Sequence, residues 1–198
     1  MRDVTTWSLE MRDPSMLRPA RAPKVPLSIE RADVPQPELN RFLYTAVGGD
    51  WFWITRLSWT YDRWMAWLDR PEAETWVART HGSPAGYFEL ERQDGGDVEL
   101  AYFGLLPQMM GMGIGGHLLT VAIQRMWELP GTRRAWVHTC SLDHPSALAN
   151  YQARGFEIFE VETLPQDLPD QPSGPWPGAN SPGPNLAGRG TGDPRLDR

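Results

Sequence analysis

The stretch ELAYFGLLPQMMGMGIGGHLL, residues 99–119, decides the fold. It reads as a buried strand, then a glycine-studded loop, then the first turns of an apolar helix. In that order, free backbone N–H groups at the helix N-terminus converge on the loop. A phosphate is stabilised there by both the N–H groups and the helix dipole. A literal GxGxxG pattern lies at Gly111, Gly113 and Gly116. A dinucleotide enzyme also needs an acidic residue at the end of the next strand to hold a ribose. The strand expected over 134–139 ends without one. No GxxxxGK[ST] sequence occurs, which removes a nucleoside-triphosphate loop.

Working outward, three strands over 75–80, 85–92 and 98–106 form a meander. Gly82-Ser83-Pro84 and Asp94-Gly95-Gly96-Asp97 supply its two turns. Upstream, the spacing predicts a strand over 27–31 and a helix over 37–47, with Leu39, Phe42, Leu43 and Ala46 on one side and Gly48-Gly49 as its stop. A tryptophan-dense segment over 50–59 leads into a helix over 61–68. Downstream, apolar residues at 114, 118, 122, 123 and 126 make the stripe of a helix over 114–127. A strand over 134–139, a helix over 145–154 and a strand over 156–161 follow. Pro145 starts that second helix and Gly155 ends it. A meander followed by two strand–helix crossovers implies a mixed α/β fold, a mixed central sheet flanked by helices.

Both ends differ from this middle. A short strand over 4–10 is followed by Pro14, Pro19, Pro23 and Pro26, so residues 1–26 read as an extended arm. Residues 164–198 hold eight prolines and six glycines and cannot bury a core of their own. They read as a tail or, alternatively, as a strap anchored by Trp176. The folded domain is therefore expected over 27–163.

The net charge of −6 argues against a nucleic-acid-binding face and suits a cationic or neutral substrate. No segment is long and apolar enough to span a bilayer, so no membrane partner is expected. The single cysteine, Cys140, permits no intramolecular disulfide and fits a reducing, cytoplasmic setting. It reads as a small buried residue rather than an acyl-carrying nucleophile. Homodimerisation is left open.

Two motifs carry a family resemblance. Met110, Gly113 and Gly115, followed by Leu118-Leu119, match in position a loop of form (Arg/Gln)-x-x-Gly-x-(Gly/Ala) that precedes Leu-Leu. His144, Ala147, Tyr151, Gly155 and Phe156 match Asn-x-x-Ala-x-x-x-Tyr-x-x-x-Gly-Phe. In this respect residues 27–161 resemble the GNAT family of acyl-CoA-dependent N-acyltransferases. The chain departs from the pattern at Met110, where the family has Arg or Gln, and at His144, where it has Asn.

The resemblance implies acetyl transfer from acetyl-CoA to a primary amine of a small molecule or protein by direct attack, with no metal. Phe103, Gly104 and Leu105 would pair by backbone with pantetheine. Met110, Gly111, Met112, Gly113, Ile114 and Gly115 would hold the pyrophosphate by N–H groups. His117, Arg125, Arg133 or Arg134 are the cations available to replace the charge missing at Met110. His144 inherits a contact to the pantetheine arm, and it also reads as an N-cap beside Pro145. Tyr151 matches the tyrosine that protonates the leaving thiolate. Glu99 aligns without gaps to the strand glutamate that serves as base in one branch of the family; a solvated surface role is its other reading. His138 reads as a structural histidine beside the cleft. Trp51 and Trp53 are the expected acceptor walls, since aromatic faces stack on planar groups or cage cations. The alternative is a non-catalytic CoA-binding or protein-interaction module on the same fold, which the methionines at 109, 110 and 112 motivate.

Overall fold

The computed structural model describes residues 1–175. Its elements are β1 (Arg2–Met11), β2 (Ser28–Arg31), α1 (Pro37–Gly48), α2 (Tyr61–Leu68), β3 (Ala73–Thr80), β4 (Ser83–Arg92), β5 (Asp97–Leu105), α3 (Ile114–Glu128), β6 (Arg134–Cys140), α4 (Ala147–Ala153) and β7 (Glu157–Gln166). Seven strands form one sheet in the order β2-β3-β4-β5-β6-β1-β7. Strands β5 and β6 run parallel, and every other neighbouring pair is antiparallel.

The β3–β4 hairpin turns on His81 and Gly82, at φ 48° and 79°. Two residues of positive φ match the right-handed twist of the strands they join. Adjacent residues of β4 then face opposite layers. Phe88 and Leu90 pack against α3 through Ile114, Leu118, Ala122, Ile123 and Met126, all of them fully buried. Tyr87 packs on the other face with Val77 and with Leu43 and Val47 of α1. The sheet is thus covered on both sides.

Helix α1 packs Leu43, Leu39 and Ala46 of its predicted apolar stripe against the core, but its buried face is rotated away from Phe42. Phe42 is 46% exposed, whereas Asn40, Leu43, Tyr44 and Val47 are buried. The reason is polar. Asn40 Nδ2 donates to Thr75 Oγ1 and to Glu89 Oε1, at 2.7 and 3.1 Å. A buried carboxylate that must be hydrogen-bonded turns the helix toward itself.

The first strand is an interior strand. Thr6 to Met11 of β1 pair with Cys140 to Ala135 of β6, and the other edge of β1 pairs with β7. Val4, Leu9 and Met11 are buried. The proline-rich stretch that follows ties helices together: Ala20 N donates to Thr120 Oγ1 of α3, and Arg18 N donates to the carbonyl of Arg154 just after α4. At the other end, β7 runs three residues into the Pro/Gly-rich segment. The chain then returns to α1, where Gly174 N donates to the carbonyl of Gly49 at 3.0 Å. Trp176, and with it the expected anchor of a strap, lies outside the described residues.

Candidate functional site

Strands β5 and β6 pair only at Asp97–Arg134, Val98–Ala135 and Glu99–Trp136. Just beyond, the β4–β5 register shifts, so that Glu89 faces Tyr102 and Leu90 faces Leu100, leaving Ala101 as an extra residue. A bulge bends the strand that carries it. The two parallel strands part at that level, and a cleft of about 1000 Å³ opens between them, at the upper end of the range for ligand sites (~300–1,000 Å³).

The glycine loop and the start of α3 form one part of the cleft wall, with Met110, Gly111, Gly113, Gly115 and Gly116 all lining it. Gly113 is the residue that precedes the first turn of α3, at φ 76°, a left-handed conformation only glycine adopts freely. The first N–H groups of any α-helix lack intrahelical partners. Phe103, Gly104 and Leu105 of β5 line the same cleft. A Cβ at Gly104 would meet Val47 Cγ1 at 2.3 Å, so only glycine lets α1 lie this close to β5.

Two of the loop residues point elsewhere: the side chain of Ile114 is fully buried, and that of Met112 packs against the main core. Met109 and Met110 pack there too. Of the cations the sequence offers the loop, two are engaged elsewhere. Arg125 binds Glu74 and Glu128, and Arg134 binds Glu10 and Asp97.

Tyr151 of α4 lines the cleft with its ring against Phe103, centroids 6.2 Å apart. It is 6% exposed. Burial, with the Asp143 carboxylate adding to it, pushes its phenol well above the ordinary value, so it stays protonated. Helix α4 begins at Ala147, two residues later than the sequence predicts, and His144 is not its N-cap. Instead His144 Nδ1 accepts from Ser146 N at 3.1 Å, and the ring meets Trp51 edge-on at 5.1 Å. Asp143 holds the loop before α4 in place: its Oδ2 accepts from Thr139 Oγ1 and Cys140 N, at 2.7 and 3.0 Å. Burial pushes the Cys140 thiol up, away from the thiolate a nucleophile needs.

The tryptophan-rich segment divides in two. Trp51, Phe52 and Trp53 line the cleft. Trp53 packs on Tyr44 and Tyr102, with centroids at 5.5 and 4.9 Å. Trp59 instead covers Arg56, a buried cation bonded to Glu89 Oε2 at 2.6 Å and enclosed by Trp59, Trp64, Trp67 and Tyr102. Burial opposes the charge on Arg56, but the Glu89 carboxylate outweighs it and holds the guanidinium pKa up.

Glu99 sits at the foot of the cleft and is 9% exposed. It does not line the cleft, whereas His138 of β6 does. Glu99 Oε1 lies 3.3 Å from His138 Nδ1, and Glu99 Oε2 accepts from Gln93 Nε2 at 2.8 Å. Tyr102, Asp143, Thr6 of β1 and Asp167 after β7 also line the cleft, beyond the residues the sequence predicts. Tyr102 lies on the same strand as Phe103, and strand alternation is the signal that marks it. The residues from β1 and after β7 left no local signal.

A splayed parallel strand pair with a glycine-capped helix at its mouth thus frames the cleft. The acetyltransferase (GNAT) family model matches residues 39–156. The chain belongs to the GNAT family.

Solved structures share the fold. A GCN5-related N-acetyltransferase from Kribbella flavida is 17% identical, with TM-score 0.57, over 82% of this chain and 59% of its own. One from Sphaerobacter thermophilus is 19% identical, with TM-score 0.58, over 82% and 51%. A putative acetyltransferase of the family from Novosphingobium aromaticivorans is 16% identical, with TM-score 0.55, over 82% and 63%. The match thus spans less than two thirds of each of these proteins. No curated protein matches the chain in sequence. Among the described residues, no helix is long and apolar enough to cross a membrane.

Proposed function

We propose that the chain is an N-acetyltransferase that moves an acetyl group from acetyl-CoA to a primary amine by direct attack. The observation that carries this reading is that Tyr151, the loop glycines and the edge of β5 all line one cleft. The residues present suit acetyl-CoA, which supplies an activated acyl thioester. N–H groups from Gly111 to Gly115 would bind its pyrophosphate, that of Met110 being taken by the Pro107 carbonyl; Phe103 to Leu105 would pair with its pantetheine arm, and His144 would touch that arm from the loop before α4.

The acceptor would enter against Trp51 and Trp53. An alkylamine with a lysine-like pKa of ~10.4 is neutral in only about one molecule in 10³ at pH 7, so a base is needed. The Glu99 end of the cleft supplies it. Tyr151 gives its phenolic proton to the departing sulfur, and its raised pKa keeps that proton in place until then. A reducing, cytoplasmic setting suits the free thiol of Cys140.

The test is to incubate the protein with acetyl-CoA and a panel of amines and follow free thiol. Tyr151→Phe should lower kcat by about 10²-fold while acetyl-CoA affinity holds. Unchanged kcat would remove Tyr151 from the reaction. Binding of acetyl-CoA without turnover on any amine would favour a CoA-binding module.

A further inference from the structure

We propose that His138 takes the proton from the acceptor amine, and that Glu99 is its positioning residue rather than the base itself. The proposal rests on the acetyl-transfer reading above.

The register brings the two side chains together. Glu99 pairs with Trp136 across the parallel ladder, and His138 lies two residues further along β6. Residues opposite one another, and those two apart, share a face of the sheet. Glu99, Trp136 and His138 therefore stand together on the face that carries Tyr102.

Exposure separates their roles. The His138 side chain is 51% exposed and lines the cleft, while that of Glu99 is 12% exposed and does not. Both carboxylate oxygens of Glu99 are already engaged. Oε1 faces His138 Nδ1, and Oε2 accepts from Gln93 Nε2. Gln93 is fixed in turn, because its Oε1 accepts from Trp136 Nε1 at 2.9 Å. A carboxylate held at both oxygens orients a neighbour better than it reaches a substrate. A carboxylate at Nδ1 favours the tautomer with its proton there, which leaves the lone pair on Nε2 at the far end of the ring.

The other groups near His138 support this assignment. From the loop after β6, Asp143 adds negative potential. From β1, Ser8 stands opposite His138 and does not titrate near neutrality. Glu10 of β1 is bound to Arg12 and Arg134. Glu160 of β7 lies opposite Ser8, one strand further away. Glu91 of β4, opposite Glu99, is paired with Arg70. The bond to Glu99 raises the His138 pKa, burial opposes it, and the charges of Glu99 and Asp143 add to the rise.

The proton balance closes. His138 Nε2 accepts one proton from the bound ammonium and releases it to solvent. The freed lone pair of the amine forms the C–N bond at the thioester carbonyl as the C–S bond breaks. Tyr151 protonates the sulfur, and the second proton leaving the nitrogen restores Tyr151 through water.

The experiment measures kcat/KM against pH by thiol release for the wild type, His138→Gln and Glu99→Gln, with acetyl-CoA affinity measured alongside. His138→Gln should lose about 10²–10³-fold together with the acidic limb of the profile, at unchanged acetyl-CoA affinity. Glu99→Gln should keep that limb but move it to lower pH. A limb that survives in His138→Gln and vanishes in Glu99→Gln makes Glu99 the base and overturns the proposal.

NMR titration of the four histidines, with His138 assigned from its variant, reads the pairing without turnover. Its pKa should fall in Glu99→Gln, and an identical titration in both proteins overturns the pairing. A wild-type protein that acetylates no amine refutes the acetyl-transfer reading and the base assigned within it, whatever the NMR shows.

Discussion

Replacing Arg56 by methionine tests what holds the tryptophan-rich side of the cleft together. The side chains of Arg56 and Glu89 are 4% and 2% exposed, and they meet at 2.6 Å. Arg56→Met keeps most of the volume but leaves Glu89 charged and buried. Asn40 Nδ2 at 3.1 Å and Trp67 Nε1 at 3.2 Å remain as its donors. Removing one partner of a buried pair costs about 3–5 kcal/mol. Two surviving hydrogen bonds to the carboxylate, each contributing about 1.5–3 kcal/mol because the acceptor is charged, place this case at the lower end, about 3 kcal/mol.

At about 2–4 °C per kcal/mol for a domain of this size, Tm should fall by about 6–12 °C. The double variant Arg56→Met/Glu89→Gln removes the stranded charge and should regain about half of the loss, on the order of 1.5 kcal/mol. Urea unfolding of the four proteins that close this double-mutant cycle measures both numbers. A single variant within about 1 kcal/mol of wild type, or a double variant no better than the single, would falsify the account of Arg56 as the charge that makes Glu89 tolerable.

Gly104→Ala should weaken acetyl-CoA binding and destabilise the fold by about 1–3 kcal/mol through overpacking, because its Cβ would lie 2.3 Å from Val47 Cγ1. Adding Val47→Ala should restore much of both, and calorimetry with acetyl-CoA reads it. Met110→Arg adds a guanidinium on the loop itself, besides the one that Arg154 brings against Gly116. It should tighten acetyl-CoA binding by about tenfold, the equivalent of one charge-assisted bond of about 1.5 kcal/mol; unchanged affinity would show that phosphate does not sit there.

Glu74 sets part of the acid stability. Burial raises its carboxyl pKa, but Arg125, Trp76 and Arg31 together hold it below its ordinary value of 4.5. The folded pKa lies below the unfolded one, so its stabilisation is present above pH 4.5 and is lost as pH falls through the folded value. Glu74→Gln should flatten the urea midpoint as a function of pH in that acid window, and an unaltered slope would contradict the assignment.

Much of the fold was legible because its signals are local. Helix α2 begins and ends where the sequence predicts, at Tyr61 and Leu68, since Thr60 caps it through a side-chain bond to Arg63 N. The meander followed from turn residues, and the α3 stripe from its period. What failed was non-local. The buried face of α1 depends on Glu89, which lies 49 positions from Asn40. The strand over 4–10 was visible as a strand, but nothing in its residues says that it lies between β6 and β7.

The site divided in the same way. Tyr151 and the loop glycines carry motif spacing, and the structure brings them to one cleft. Glu99 and His138 stand apart in the sequence, because their proximity comes from the parallel register of β5 and β6, which no spacing within either strand encodes.

The place of β1 in the sheet imposes an order on assembly. Thr5 N donates to Ser141 Oγ, a residue 136 positions away, so this strand must wait for segments made long after it before either of its edges is paired. Until then its Val4, Leu9 and Met11, buried in the fold, face water or a chaperone. The parallel ladder that opens the cleft gains its flanking strand only when β1 docks. Closing so long a loop is entropically costly, and non-local pairing of this kind slows folding. The far side of the cleft is therefore completed late, by a segment made before the strands it joins.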